Sequence, residues 1–78
     1  MRKKEMKLVI TFHTTADAMA MEKRCKTEKM EGRLIPVPRI LSAGCGMAWA
    51  CPPLDSEQLT RWMQERHLRY ESIQECLV

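Results

Sequence analysis

Alternation opens the chain. KLVITFH, residues 7–13, sets Leu8, Ile10 and Phe12 against Val9, Thr11 and His13 and is rich in β-branched residues. This predicts a strand with one well-buried face. In TTADAMAMEKRCKTEKM, residues 14–30, the period changes: Ala18, Met21 and Cys25 recur at helical spacing, which points Cys25 at the core. Thr14 is a good N-cap and Asp17, three residues on, nearly completes a capping box, while Gly32 is the natural stop. RLIPVP, residues 33–38, is a short apolar run with two prolines, and proline confines it to the edge of a sheet. After the loop RILSAGCG, the fully apolar MAWAC, residues 47–51, predicts an inner strand. Pro52 and Pro53 end it, and Asp55 or Ser56 can cap a second helix. SEQLTRWMQERH places Leu59, Trp62 and Met63 on one stripe of that helix, and RYESIQECLV, residues 69–78, alternates again as a last strand with Ile73 and Leu77 on one side.

The predicted order is β-α-β-β-α-β. Its simplest packing is an α+β, ferredoxin-like arrangement with two helices on one face of a four-stranded antiparallel sheet. The first and third strands, the most apolar, belong at its centre. With 78 residues the chain forms a single domain, 1–78, near the size at which one core is only marginally stable.

Composition narrows the function. A net charge of +3, with one Phe and one Tyr, does not provide the basic, aromatic surface of a nucleic-acid partner. The basic start MRKKEMK precedes only five apolar residues, too few for a secretory signal, and there is no membrane-spanning run. A cytoplasmic protein is expected, in which the four cysteines, none in CxxC spacing, stay reduced.

Chemistry concentrates at Cys45, framed by Gly44 and Gly46. A thiol reacts as its thiolate, which nearby positive charge or converging N–H donors stabilise. Glycines permit the left-handed turns that build such a nest of donors and leave the sulfur accessible. Arg39 and Ser42 stand close enough in sequence to add a charge and a hydrogen bond. The competing reading is a tight turn whose cysteine packs inward, as free cysteines commonly do. Cys51, Cys25 and Cys76 default to packing, although Cys51 could serve as a resolving thiol for Cys45. His13 could approach the Cys45 loop if the central strands pair. A metal site from His13, Cys45 and Cys51 lacks the close-paired ligands usual for zinc, so neither metal nor cofactor is expected. His67 suits a helix C-terminus, Glu22 is a solvated helix carboxylate or a partner of Arg39, and the seven methionines are core filler.

Three blocks, TTADAMAMEK, LIPVPR and SAGCGMAW, together resemble the selenium/sulfur (Se/S) carrier-like family of small bacterial proteins. The resemblance implies a ferredoxin-like fold and a carrier rather than an enzyme. Cys45 would bear the chalcogen as a persulfide or selenopersulfide, with Arg39, Ser42, Gly44 and Gly46 holding or exposing it. A cysteine desulfurase or other selenium or sulfur donor and an acceptor protein would be the partners. Two alternatives stand beside it. One is an interaction module or homodimer using the open sheet face at Val9, Thr11 and His13, with Cys45 structural. The other is a redox or metal-binding protein using Cys45 with Cys51.

Overall fold

Six elements succeed one another as the periodicity predicts: β1 (Met6–Thr11), α1 (Thr15–Thr27), β2 (Arg33–Pro36), β3 (Met47–Cys51), α2 (Ser56–Glu65) and β4 (Ser72–Leu77). The structure, a computed structural model, describes residues 6–38, 41, 46–53 and 56–77. The strands form one antiparallel sheet in the order β2-β3-β1-β4, with β1 and β3 inside, the ferredoxin-like order. No helix among the described residues is long and apolar enough to cross a membrane.

Register decides the two faces. Leu8 opposes Cys51 and Ile10 opposes Trp49, so these four point to the same side. There they pack with Phe12 against Ala18, Met21 and Cys25 of α1 and Leu59 and Met63 of α2. One residue out of phase, Val9, Ala48 and Cys76 form a smaller cluster on the opposite face, with Ile35 and Leu41 against it. Cys76 is therefore a sealed core residue of this second cluster and not part of a frayed end. Met21 and Met63 fill the core as expected, but Met19 is 59% exposed.

The elements end earlier than periodicity suggests, and the ends explain why. β1 stops at Thr11, whose carbonyl accepts the Glu71 N–H, and Thr14 caps α1 through its hydroxyl, which accepts from the Asp17 N–H at 3.1 Å. Both helices close with the same hydrogen-bond pair. Lys29 and His67 each take a left-handed φ of 57°. The Met30 N–H then reaches back to the Cys25 carbonyl, and the Leu68 N–H to that of Met63. This is the 6→1 bond of a Schellman ending, with Met30 and Leu68 as its apolar contacts. Lys29, not Gly32, therefore stops α1, and His67 terminates α2 by its backbone. Asp55, one of the two expected caps of α2, lies outside the described residues, and Ser56 is already helical.

Gly32 has a different task. At φ +142° it lies beside the Trp49 indole, and a Cβ there would fall 2.6 Å from Nε1. Beyond the two helix ends, Arg66 and Glu28 make a forked ion pair, Nε to Oε2 at 2.5 Å and Nη2 to Oε1 at 2.7 Å. Arg66 also donates to the Trp62 carbonyl and lies 4.4 Å over the Trp62 ring, so one guanidinium ties α1, α2 and an aromatic together. Hydrogen bonding from Arg66 holds the Glu28 carboxyl below its usual range, against a smaller opposing effect of desolvation.

Two outcomes are expected. Gly32→Ala brings a methyl into the indole in a backbone region that favours glycine, and should cost more than about 2 kcal/mol in chemical denaturation; an unchanged midpoint would contradict the contact. The clasp makes stability pH-dependent. Unfolded chains take up the Glu28 proton near the ordinary value of ~4.3, and the folded chain does so lower. The contribution is thus complete above that window and is lost as pH falls through it toward the lowered folded value. Wild type should lose Tm more steeply than Arg66→Gln on acidification from about pH 5 to about pH 3. Parallel curves would remove the clasp from the acid response.

Candidate functional site

The connection between β2 and β3, residues 37–46, holds the Gly-Cys-Gly motif. Its base is defined by backbone pairing. Pro36 opposes Met47, and one further bond, Val37 N–H to the Gly46 carbonyl at 3.0 Å, extends the hairpin past the strands. Gly46 takes φ +74° with open space where a Cβ would project, so it is the left-handed turn that calls for glycine here and not crowding. Leu41 fastens the connection in its middle. Its N–H donates to the Pro38 carbonyl at 2.9 Å, and its side chain packs on the cluster of Val9, Ala48 and Cys76. Arg39, Ser42, Gly44 and Cys45 lie outside the described residues.

The other three cysteines are all buried, with 1–3% of their surface exposed. Burial pushes the Cys25 thiol up to about 11, with the neighbouring Cys51 and Glu28 charges adding to the rise. Burial likewise pushes Cys51 up to about 11, against a partly compensating pull from the Lys7 charge. The Cys51 Sγ lies 3.7 Å from the Leu8 carbonyl as a weak donor. Cys25 and Cys51 are thus neutral core thiols, and all three cysteines pack in the interior, as their positions in the sequence suggest.

Cys51 ends β3 and Gly46 precedes its start, so the strand separates these two residues. The same strand separates Cys51 from His13, because Leu8 is level with Cys51 and β1 runs away from it. A shared metal would need their ligand atoms about 2 Å from one ion. No group of three or more His, Cys, Asp or Glu among the described residues could hold a metal ion.

The open face also departs from expectation. Val9 and Thr11 do face away from the helices, but both are fully buried, and the Thr11 hydroxyl is hydrogen-bonded to the Ser72 hydroxyl at 2.6 Å. They present no docking surface. His13 is exposed just past β1, its Nδ1 3.2 Å from Glu71 Oε1. Sequence reasoning missed Glu71, because nothing local marks a carboxylate that meets its partner from across the chain. It also missed Leu41, although the adjacent large apolar pair Ile40-Leu41 in a connection between strands was a usable signal. Glu22 is half-buried on α1, and Arg39, its suggested partner, lies outside the described residues.

With this geometry in place, comparison with known proteins adds one finding. A protein-family model described as "Putative Se/S carrier protein-like" matches residues 7–75. No curated protein and no solved structure matches the chain.

Burial predicts which thiols resist modification. Cys25, Cys51 and Cys76 should stay unmodified when folded protein meets iodoacetamide at about pH 7.5 and react fully in denaturant. Peptide mass mapping reads this directly, and native labelling of Cys25 or Cys51 at the rate of a free thiol would overturn their assignment to the core.

Proposed function

The chain belongs to the family described as "Putative Se/S carrier protein-like", and we propose that it carries sulfur or selenium on Cys45, as a persulfide or selenopersulfide, and delivers it to a partner. One observation carries the choice of residue. Three of the four thiols are sealed in the core, two of them with raised pKa values, which leaves Cys45 as the thiol for exchange.

In the proposed chemistry the Cys45 thiolate attacks the outer chalcogen of a donor persulfide or selenopersulfide. A bond forms between the Cys45 sulfur and that atom, the donor's bond to it breaks, and the donor leaves as a thiolate that takes up the proton Cys45 gave. No net oxidation occurs. An acceptor nucleophile then repeats the exchange on the outer atom. Arg39 and Ser42 supply charge and a hydrogen bond to the anion, and Gly44 and Gly46 leave it accessible. The left-handed turn at Gly46 supports that part of the reading. The protein acts as a cytoplasmic shuttle between a cysteine desulfurase, or a corresponding selenium donor, and an acceptor protein. The docking-module alternative loses Val9 and Thr11 to burial.

Incubation with an active cysteine desulfurase and its amino-acid substrate should add one sulfur atom to the intact mass, removable by reductant. Cys45→Ser should abolish the adduct and Cys25→Ser should retain it. Loading that persists in Cys45→Ser would sink the assignment, as would the absence of any adduct while a control carrier is loaded in parallel.

A further inference from the structure

The sheet has two edges, and they differ. β2 is four residues long and ends in Pro36, whose nitrogen has no hydrogen to offer a further strand. β4, the other edge, has six residues, SIQECL, with no proline, lysine or arginine among them. Its register with β1 is unbroken from Met6–Leu77 to Thr11–Ser72. Proline, basic side chains and short length are common means of keeping an edge from pairing again. β4 has none of these, and Gln74, Glu75 and Leu77 are exposed along it, so its outward N–H and C=O groups are open to a further strand.

Register also fixes which side chains this edge presents. Leu8 opposes Glu75 and Ile10 opposes Ile73, so Ile73, Glu75 and Leu77 stand on the helix side of the sheet. The helices cover β1 there but not the whole of β4. Leu8 is 2% exposed, whereas Glu75 beside it is exposed, and Leu77 is 58% exposed next to Met6 at 45%. Among the described residues three large apolar side chains are exposed, and two of them form this one cross-strand pair. Glu75 sits between Ile73 and Leu77 on that side and has no ion-pair partner among the described residues. The opposite side of β4 carries no charge: Cys76 is buried, and the Ser72 hydroxyl is bonded to that of Thr11.

We propose that β4 is a docking edge for an extended segment of a partner protein, one in which a Lys or Arg has an apolar residue two positions away on each side. Such a segment becomes a fifth strand about 4.8 Å from β4. Backbone hydrogen bonds hold it, and its alternate side chains select it. Its basic residue stands opposite Glu75. Its two apolar residues stand opposite Ile73 and Leu77, and the second of them extends the exposed pair that Leu77 makes with Met6. Opposite charges and apolar pairs stabilise each other across neighbouring strands, and like charges directly opposite do the reverse. An acidic residue at the centre of the segment is therefore rejected. This docking is independent of the chemistry assigned to Cys45.

The test titrates the capped peptide Thr-Val-Thr-Lys-Thr-Val-Thr, and the same peptide with Glu at its centre, into the isotope-labelled full chain and follows the amide resonances. Each peptide has the same side-chain order in both directions, so either strand orientation satisfies the code. The Lys peptide should shift the amides of β4 and leave those of β2 unmoved, and it should bind about fivefold or more tightly than the Glu peptide. Glu75→Lys should reverse that preference at an unchanged Tm, because Glu75 is exposed. Leu77→Ser should weaken both peptides alike. Equal binding of the two peptides by wild type, shifts centred on β2, or no saturable shift at millimolar peptide would overturn the proposal. Self-association through β4, seen in sedimentation as a concentration-dependent change that Glu75→Lys alters, would give the edge to a second copy and overturn it too.

Discussion

Leu8, Ile10 and Phe12 are sealed beneath two helices, while Val9 and Thr11, one position out of phase, are sealed on the opposite face. An inner strand buried on both sides cannot slip by one residue without exchanging two incompatible sets of neighbours. Trp49 opposite Ile10, Cys51 opposite Leu8 and Ala48 opposite Thr11 all result from that one register. Size complementarity completes the arrangement. The large Trp49 lies on the helix side, where Gly32 makes room for it, and the small Ala48 and Ala50 lie on the other side.

The double burial also links the core to the loop. In a sheet covered by helices on one side only, the second face would meet solvent; here Leu41 packs on Val9, Ala48 and Cys76. The connection that contains the Gly-Cys-Gly motif is thus held at its base by the Val37–Gly46 bond and in its middle by an apolar anchor. Packing against the core and access for a partner are usually at odds in so small a domain. The chain separates them by placing three thiols in the interior and the motif in a connection outside the strands. The helix layer is finished independently, by two Schellman endings and the Arg66–Glu28 fork. Their geometry owes more to backbone closure and one planar guanidinium than to the apolar pattern.

Much of the fold was legible because burial on one face leaves a period. The stripe of Leu59 and Met63 marked α2 and the two prolines of RLIPVP marked an edge strand, and both behave so in the structure; alternation marked β1 as a strand, although both of its faces are buried. Element ends were less legible. A left-handed lysine or histidine closes a helix only when the next apolar residue can fold back on the core, and no local pattern announces that. Periodicity also overstated the open face, since alternation tells which side a residue takes but not what covers that side. The glycines single out Cys45 in the sequence, and the family match over residues 7–75 agrees with the resemblance drawn from its three blocks.

By itself the sequence determined the order of strands and helices, the pairing of inner with inner, and the cysteine set apart by glycines. These depend on local periods and on the conformational freedom of single residues. Tertiary structure alone decided that Cys51 and Gly46 stand at opposite ends of β3, that Val9 and Thr11 are enclosed, and that His13 meets Glu71. Each of those depends on contacts between residues remote in the chain or on distance along a rigid extended strand, and neither leaves a trace in the spacing of residues.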